Sequence, residues 1–188
     1  MSAAELALLL SRHTPADEKE TEDLARMRAY AHALLQPFSR AQAGAHFTGS
    51  AVVTDPEGAR VVLVHHRKLK RWLQPGGHAD PGDEGSMQRT ALREAHEETG
   101  CRVFLHPRAP LPLDVDVHAI PGRQDEPGHL HLDVRFLVVA EEPEALAHDP
   151  AESFGAQWLS WEQALARADE APLRRMLEKA RRVAQGPA

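Results

Sequence analysis

Three glutamates lie close together in the segment Arg93–Gly100. Glu94, Glu97 and Glu98 have the i, i+3 and i+4 spacing that places side chains on one side of a helix. Like charges at this spacing repel one another, and Arg93 offsets only part of the repulsion. Hard divalent cations such as Mg²⁺ bind oxygen ligands, usually a few carboxylates together with waters and substrate phosphates. The spacing therefore predicts a metal site on one side of a helix.

A glycine-rich turn and a basic run precede this helix. Gly76 and Gly77 allow the backbone to turn sharply and to approach a ligand closely. The basic residues upstream are Arg67, Lys68, Lys70 and Arg71. They are candidates for phosphate contact, although a solvated hairpin explains such a run equally well. Since a metal that bridges phosphate oxygens polarises phosphorus and acidifies a bound water, the combination favours hydrolysis of a phosphoric anhydride.

These residues resemble the signature of the Nudix hydrolase family: Gly, five residues, Glu, seven residues, then Arg-Glu-apolar-any-Glu-Glu-any-Gly-apolar. The second half is complete in Arg93–Cys101, and Gly77 matches the opening glycine. The first half departs from the signature, because Asp83 replaces the first glutamate and nine residues separate it from Arg93. Taking Glu84 as the first acid gives spacings of six and eight residues instead. We expect the additional residues to lie in the loop before the helix.

The resemblance covers residues 47–161 and implies the fold and chemistry of that family. The implied fold is an α/β/α sandwich with a mixed central sheet, and the implied assembly is a homodimer. The implied substrate is a small molecule in which a nucleoside diphosphate is joined to a further group. The implied reaction is cleavage of its anhydride bond with Mg²⁺ or Mn²⁺.

The same resemblance assigns roles to individual residues. The implied metal ligands are Glu94, Glu97, Glu98 and, through its carbonyl oxygen, Gly77. Arg93 would orient the glutamates. Glu152, which lies six residues before Trp158, is the candidate for an additional ligand or catalytic base. The implied substrate contacts are Gly76 and Gly77, and we place Arg67, Lys68 and Arg71 beside them.

Composition and charge limit the classes of protein to consider. The 188 residues fit one domain with an extension, given about 100–200 residues per domain. A formal net charge of −6 disfavours binding to nucleic acid, including a decapping-type activity, and to anionic membranes. Apolar runs stay far below the roughly 18 residues that span a bilayer. The single cysteine, Cys101, suits a reducing compartment and a core position, so we expect a cytoplasmic protein.

The rest of the sequence predicts the elements that position the site, in an α/β or α+β fold. Helical spacing indicates an N-terminal helical extension over residues 1–45, starting with a cap at Ser2, ahead of a Nudix domain over residues 46–188. A helix is predicted over residues 86–99, closed by Gly100, after a loop over residues 74–86. A further helix should begin after Ser160 and a last one at Pro172. Strands are predicted over residues 49–54, 60–65, 102–105, 113–120, 130–140 and 157–159.

Two other features allow more than one interpretation. His129, His131 and Asp133 alternate with apolar residues, so they share a strand face and could form a transition-metal site. Surface histidines need no metal, however, and no second ligand pair shows a recognisable zinc spacing, so we favour the interpretation without metal. Trp72 could stack on a base or pack against the protein.

Two alternatives concern the function itself. A catalytically silent Nudix-like module could bind a nucleotide and regulate, but such modules would be expected to lose metal-binding glutamates, and this chain keeps all three. Substrate choice in such folds depends on variable loops. We therefore expect it to depend on the loop Pro121–Pro127 and on the extension over residues 1–40.

Overall fold

The computed structural model describes residues 3–122 and 127–186. The helices are α1 (Ala3–Ser11), α2 (Glu18–Ala33), α3 (Met87–Thr99), α4 (Trp161–Arg167) and α5 (Ala171–Gln185). The strands are β1 (Ala45–Thr54), β2 (Arg60–His66), β3 (Arg71–Leu73), β4 (Gly76–His78), β5 (Val103–Leu105), β6 (Asp114–Ile120), β7 (His129–Ala140) and β8 (Ser153–Ser160). Within these ranges, no helix is long and apolar enough to cross a membrane.

The strands form one mixed sheet at the centre of the molecule. β1 and β7 pair in parallel along their length, from Ala45 opposite Leu130 to Thr54 opposite Val139. In the described ranges the remaining pairs are antiparallel, and the path through the sheet is β3-β2-β1-β7-β5. The predicted mixed sheet is therefore confirmed.

Two apolar cores cover the two faces of this sheet. On one face α1, α2 and α3 contribute to a core that includes Leu24, Met27, Phe47 and Ala91. On the other face α4 and α5 pack on Val52 and Leu137 with residues such as Trp161 and Leu177. Since alternate strand residues face opposite sides, β1 and β7 supply both cores. The arrangement confirms the α/β/α sandwich and the N-terminal helices.

The helix that carries the glutamates has the predicted ends. The hydroxyl of Ser86 accepts a hydrogen bond from the backbone N–H of Arg89, and Gly100 closes the helix with φ of 68°. At Gly49 of β1 an added Cβ would lie 2.6 Å from the carbonyl oxygen of Met87. A glycine at this position therefore allows α3 to lie directly against the sheet. This close packing sets the distance between the sheet and the acidic side chains of α3.

The close approach at Gly49 leads to a stability prediction. Gly49→Ala should lower the free energy of unfolding by about 1–3 kcal/mol, because the added methyl group overpacks the contact with α3. Gly155→Ala is the matched control, since an added Cβ there meets nothing within 4 Å, and it should change stability by less than about 0.5 kcal/mol. Urea unfolding of both variants measures the difference, and equal effects at the two sites would contradict the prediction.

The structure corrects several predicted boundaries. The segment 74–86 is not a continuous loop, because Gly76–His78 pairs with β1 and a short 3₁₀ helix spans Pro81–Asp83. An added Cβ at Gly76 would lie 2.1 Å from the Cβ of Ser50, so the glycine that suggested a loop instead allows close strand pairing. Helix α2 ends at Ala33, so the last part of the predicted helical extension over residues 1–45 is not helical. The predicted cap at Ser2 lies outside the described residues.

A buried ionic network lies between the sheet and helices α2 and α5. At its centre the guanidinium of Arg135 contacts Asp114 at 3.2 Å, Asp116 at 3.1 Å and Asp133 at 2.8 Å. Arg135 is only 4% exposed. The three acids come from β6 and β7, so the network joins the two strands through side chains as well as through their backbone.

The same network binds the N-terminal and C-terminal helices to this part of the sheet. From α5, Arg175 contacts Asp114 at 2.8 Å and Lys179 contacts Glu20 of α2 at 2.6 Å. From α2, Lys19 contacts Asp116 at 2.6 Å. Helix α2 is therefore held to β6 and α5 by ion pairs in addition to its apolar contacts.

The network predicts a loss of stability in acid. Burial alone would raise the pKa of Asp116, but hydrogen bonding to His118 and the charge of Arg135 outweigh it and hold that pKa far below its usual range. The pKa of Glu20 is likewise lowered against burial, through its contacts with His13 and Lys179. A depressed folded-state pKa stabilises the fold above the unfolded-state pKa, and the contribution is lost as the pH falls.

The free energy of unfolding should therefore decrease as the pH is lowered through about 4, the ordinary range of a carboxyl group. Urea unfolding at a series of pH values measures the slope. Asp116→Asn should show a shallower acid slope than the wild type, and an unchanged slope would exclude Asp116 as a source of the effect.

Candidate active site

A cleft of about 960 Å³ lies beside β1, β4 and α3. Its polar lining includes Thr48, Ser50, Lys68, His78, Arg93, Glu94, Glu97, Glu98, Asp149 and Glu152. The cleft thus brings the predicted acidic helix, the glycine-rich segment and the predicted loop glutamate together in one concave surface.

Arg93 connects the acidic groups to one another. Its Nη1 donates to Glu94 at 2.9 Å and to Glu97 at 2.8 Å, and its Nη2 donates to the carbonyl oxygen of His78 at 2.7 Å. Its Nε donates to Asp83 at 3.1 Å. One guanidinium therefore fixes two of the glutamates relative to β4, as a planar fork of donors can do.

Asp83, not Glu84, is the acid that contacts this arginine. The Asp83 side chain is buried and also accepts hydrogen bonds from the backbone N–H of Asp80 and the hydroxyl of Thr90, both at 2.9 Å. Glu84 is exposed, has φ of 51° and pairs with Arg89. The residues that lengthen the signature therefore lie in the turn between Asp83 and α3, as expected.

Glu98 is the most buried of the three glutamates. It is 8% exposed, and its Oε1 accepts a hydrogen bond from the backbone N–H of Gly76 at 3.0 Å. Burial raises its pKa to about 8, with a further contribution from the negative charge of Glu94 and against the effect of the Gly76 hydrogen bond. Burial also raises the pKa of Glu94. The side chain of Glu97 is the most exposed of the three, at 55%.

Gly77 lies directly against the acidic cluster. An added Cβ at this position would lie 2.6 Å from Oε1 of Glu94. Only a residue without a side chain leaves the carboxylate and the backbone of β4 this close. The backbone of Gly77 is therefore near any ion that Glu94 binds.

The loop before β8 supplies more negative charge. Glu152 lines the cleft, and its charge contributes to the raised pKa values of both Glu94 and Glu98. Asp149 lines the same cleft and acts on Glu98 in the same way. Asp149 is not among the predicted site residues, although its position three residues before Glu152 is a signal visible in the sequence.

The predicted basic run divides between the cleft and the protein surface. Lys68 lines the cleft. Arg71 instead pairs with Asp169 at 2.7 Å and with Glu170, and Arg67 stacks on the ring of Phe154 at 4.5 Å. Neither Arg67 nor Arg71 belongs to the described cleft lining, because both find partners elsewhere on the surface.

The N-terminal extension also reaches the cleft. The segment Phe38–Arg40, which follows α2, contributes to the cleft lining, and Arg40 is a base that the sequence analysis did not single out. In the predicted loop Pro121–Pro127, residues 123–126 lie outside the described residues. Trp72 is partly buried and packs against the protein, with His65 stacked at 5.0 Å and the guanidinium of Arg167 at 4.9 Å.

Comparisons with known proteins match the part of the chain that forms most of this cleft. A family model described as NUDIX domain matches residues 45–180. A Bacillus subtilis (strain 168) protein named "Putative 8-oxo-dGTP diphosphatase" is 33% identical over 112 residues, which cover 60% of this chain and 65% of that protein. A Lactococcus lactis subsp. cremoris (strain MG1363) protein named "Probable DHNTP pyrophosphohydrolase" is 35% identical over 88 residues, which cover 46% of this chain and 50% of that protein. The chain therefore spans between half and two thirds of these two relatives.

A solved structure shares the fold at lower sequence identity. A C. elegans Ap4A hydrolase in a binary complex superposes with a TM-score of 0.57 and 20% identity, covering 71% of this chain and 93% of that one. This likeness concerns the fold, and the family match rests on residues 45–180.

Proposed function

The chain belongs to the NUDIX domain family, and from this membership we propose that it is a metal-dependent pyrophosphohydrolase. Its substrate class is a nucleoside diphosphate joined to another group, and the bond cleaved is a phosphoric anhydride. The observation that carries the proposal is the arrangement of the three glutamates beside Gly77: Arg93 holds Glu94 and Glu97, and the backbone N–H of Gly76 holds Glu98. A surface patch of acids would not require an arginine anchored on the buried Asp83 or an approach that only glycine allows.

The donor set fits a hard divalent cation. Carboxylate oxygens of Glu94, Glu97 and Glu98 are ligands that Mg²⁺ accepts, and the close approach at Gly77 adds a backbone group beside them. We therefore propose Mg²⁺ as the ion, with Mn²⁺ able to replace it because it prefers the same oxygen ligands. When bound, the ion would polarise the phosphoryl group and make a nearby water more acidic.

Other residues of the cleft position the glutamates, contact the substrate phosphates or accept a proton. Arg93 is a positioning residue, since it holds Glu94 and Glu97 and is itself anchored on Asp83. Lys68 is the base from the predicted run that we retain for phosphate contact, and Arg40 is the one that we add. Glu152 is our candidate for the group that accepts a proton from the attacking water, because it lies within electrostatic reach of Glu94 and Glu98.

The substrate and assembly are proposed at the level of class. The name of the Bacillus subtilis relative describes an enzyme that acts on a deoxynucleoside triphosphate, which the proposed class includes. The name of the Lactococcus lactis relative describes a pterin triphosphate, which shares the phosphoric anhydride but not the nucleoside. We propose that residues 1–45 form an extension whose end at Phe38–Arg40 closes one side of the cleft of the domain over residues 46–188. Homodimerisation remains a family-based prediction, which size-exclusion chromatography with light scattering tests.

The decisive experiment is a hydrolysis panel with the purified chain. The substrates are 8-oxo-dGTP, DHNTP, Ap4A, ADP-ribose, nucleotide sugars and unmodified nucleoside triphosphates, each with Mg²⁺, Mn²⁺ or EDTA. We expect cleavage of at least one class with a divalent ion and none in EDTA. Nucleotide binding without turnover under every condition would contradict the proposal and support the silent module. A chain that cleaves equally well in EDTA would exclude the proposed metal site.

A further inference from the structure

Four histidines from three strands lie together at one side of the cleft. His46 is in β1, His78 is in β4, and His129 and His131 are in β7. His46 pairs directly with His131, and His78 pairs with Thr48, two residues along β1 from His46. Since residues two apart in a strand face the same side, the sheet register places the four imidazoles on one face.

Two pairs of their ligand atoms are as close as those of a metal site, and the other pairs are somewhat farther apart. The Nε2 atom of His131 lies 3.2 Å from Nε2 of His78 and 3.3 Å from Nε2 of His129. One ligand nitrogen from each of the four residues lies within 4.8 Å of those of the other three. The ring of His46 is within 5.0 Å of the other three rings, measured between centroids.

The two shortest of these nitrogen–nitrogen distances match a tetrahedral metal centre. With Zn–N bonds of about 2.0–2.1 Å, two ligand nitrogens in a tetrahedron lie about 3.3–3.4 Å apart. A square-planar ion with bonds of the same length would bring neighbouring nitrogens to about 2.9 Å, which is shorter than either measured pair. A shift of about an ångström would complete the set, which rotation about side-chain torsions can supply.

The ligand chemistry separates this cluster from the acidic helix. Imidazole nitrogens suit Zn²⁺ and similar transition metals, whereas carboxylates suit Mg²⁺. Asp133 is on the same strand face, but it accepts hydrogen bonds from Thr48 at 3.1 Å and Ser50 at 2.6 Å and pairs with Arg135. The acid that the sequence placed with His129 and His131 is therefore engaged elsewhere.

We propose that His46, His78, His129 and His131 form a Zn²⁺ site that is separate from the carboxylate site of the hydrolase. A Zn²⁺ ion bound there joins β4 to β1 and β7 through side chains. It also restrains His78, whose carbonyl oxygen accepts a hydrogen bond from Arg93 at 2.7 Å. The site thus stabilises the segment that carries Gly77 and supports the orientation of the glutamates.

Metal binding by the full chain, prepared without a histidine tag and stripped with EDTA, tests the proposal. Calorimetric titration with Zn²⁺ should show one high-affinity site per chain. The double variant His129→Asn/His131→Asn should weaken binding by more than the roughly 10–100-fold that loss of an outer-shell partner costs. His32→Asn, on the exposed side of α2, is the matched control and should bind like the wild type. Equal binding by the double variant and the wild type would overturn the site.

A second measurement does not depend on how the variants fold. X-ray absorption of the Zn²⁺-loaded wild type should show nitrogen ligands at about 2.0–2.1 Å with the scattering pattern of imidazole. A shell dominated by oxygen would overturn the proposal, because it would place the ion on the glutamates. In addition, Glu97→Gln should leave Zn²⁺ affinity unchanged, and a loss there would overturn the separation of the two sites.

Discussion

Replacement of Glu98 by glutamine is expected to lower kcat by at least about 10²-fold, the scale found when a preorganised charge-stabilising group is removed. Glutamine keeps the size of the side chain, and its carbonyl oxygen can still accept the hydrogen bond from Gly76. It cannot carry the negative charge that a divalent ion requires. The loss should therefore appear in kcat at saturating Mg²⁺ and substrate, measured in the hydrolysis assay that identifies the substrate.

The same substitution should not weaken the fold. The pKa of Glu98 is raised to about 8, with burial as the largest cause, so the metal-free folded state disfavours the carboxylate. A group whose carboxyl pKa is raised binds more protons in the folded state than in the unfolded state, and stability falls as the pH rises from about 4.5 to about 8. Glu98→Gln removes that cost and should equal or exceed the wild type in metal-free thermal stability near pH 8.

A surface substitution of the same type is the control for Glu98→Gln. Glu178→Gln, at an exposed position of α5, should leave both kcat and stability at the wild-type values. A low kcat in Glu98→Gln accompanied by a lowered Tm would point to a folding defect. Full turnover in Glu98→Gln would place the catalytic ion away from α3.

The local features of the site could be predicted from the sequence because their causes are local. The ends of α3 follow from a capping serine at Ser86 and a left-handed glycine at Gly100, both visible without a partner. The clustering of Glu94, Glu97 and Glu98 follows from helical periodicity alone. These features need no knowledge of the sheet.

Other features depend on contacts between distant segments. The strand Gly76–His78 forms because β1 offers a partner, and a glycine pair alone suggested a loop. Arg71 is one of several similar bases, and its partners Asp169 and Glu170 are almost a hundred residues away. Charge type shows that a base can pair with an acid, but only the fold decides which acid it meets.

The histidine cluster also depends on contacts between segments that are distant in the sequence. His129 and His131 have a visible spacing on one strand, but no second ligand pair with a metal-site spacing is recognisable along the chain. The structure supplies His46 and His78 from two other strands, through the parallel pairing of β1 with β7 and the antiparallel pairing of β4 with β1. Ligands that come from three strands leave no fixed spacing to detect.

Removal of the cation at Arg135 is the second substitution with a large expected effect. Arg135→Met should lower the free energy of unfolding by about 3–5 kcal/mol, because removing one partner of a buried ion pair leaves uncompensated charge. Here Asp133 loses the cation that it pairs with, and Asp114 and Asp116 each lose one of their cations while they keep Arg175 and Lys19. Each of the three acids is at most 3% exposed. Total stability in domains of this kind is about 5–15 kcal/mol, so the variant should unfold at a much lower urea concentration.

A surface arginine provides the matched comparison. Arg102 is 63% exposed and pairs with Glu141 and Glu142, so Arg102→Met should cost less than about 1 kcal/mol. In the Arg135→Met background, Asp116→Asn removes the charge of one of the acids that lost Arg135 as a partner and should recover part of the lost stability. That recovery distinguishes charge repulsion from a simple loss of packing, for which a second substitution in the network would only add to the damage.

The result also tests how the cleft depends on the core. Asp133 pairs with Arg135 on one side and accepts hydrogen bonds from Thr48 and Ser50 of the cleft wall on the other. Loss of Arg135 should therefore raise KM at temperatures where the variant is still folded, whereas Arg102→Met should leave KM unchanged. Equal stability and equal KM for the two variants would show that the three buried acids are neutralised without Arg135, and the network would then have no role in holding the cleft.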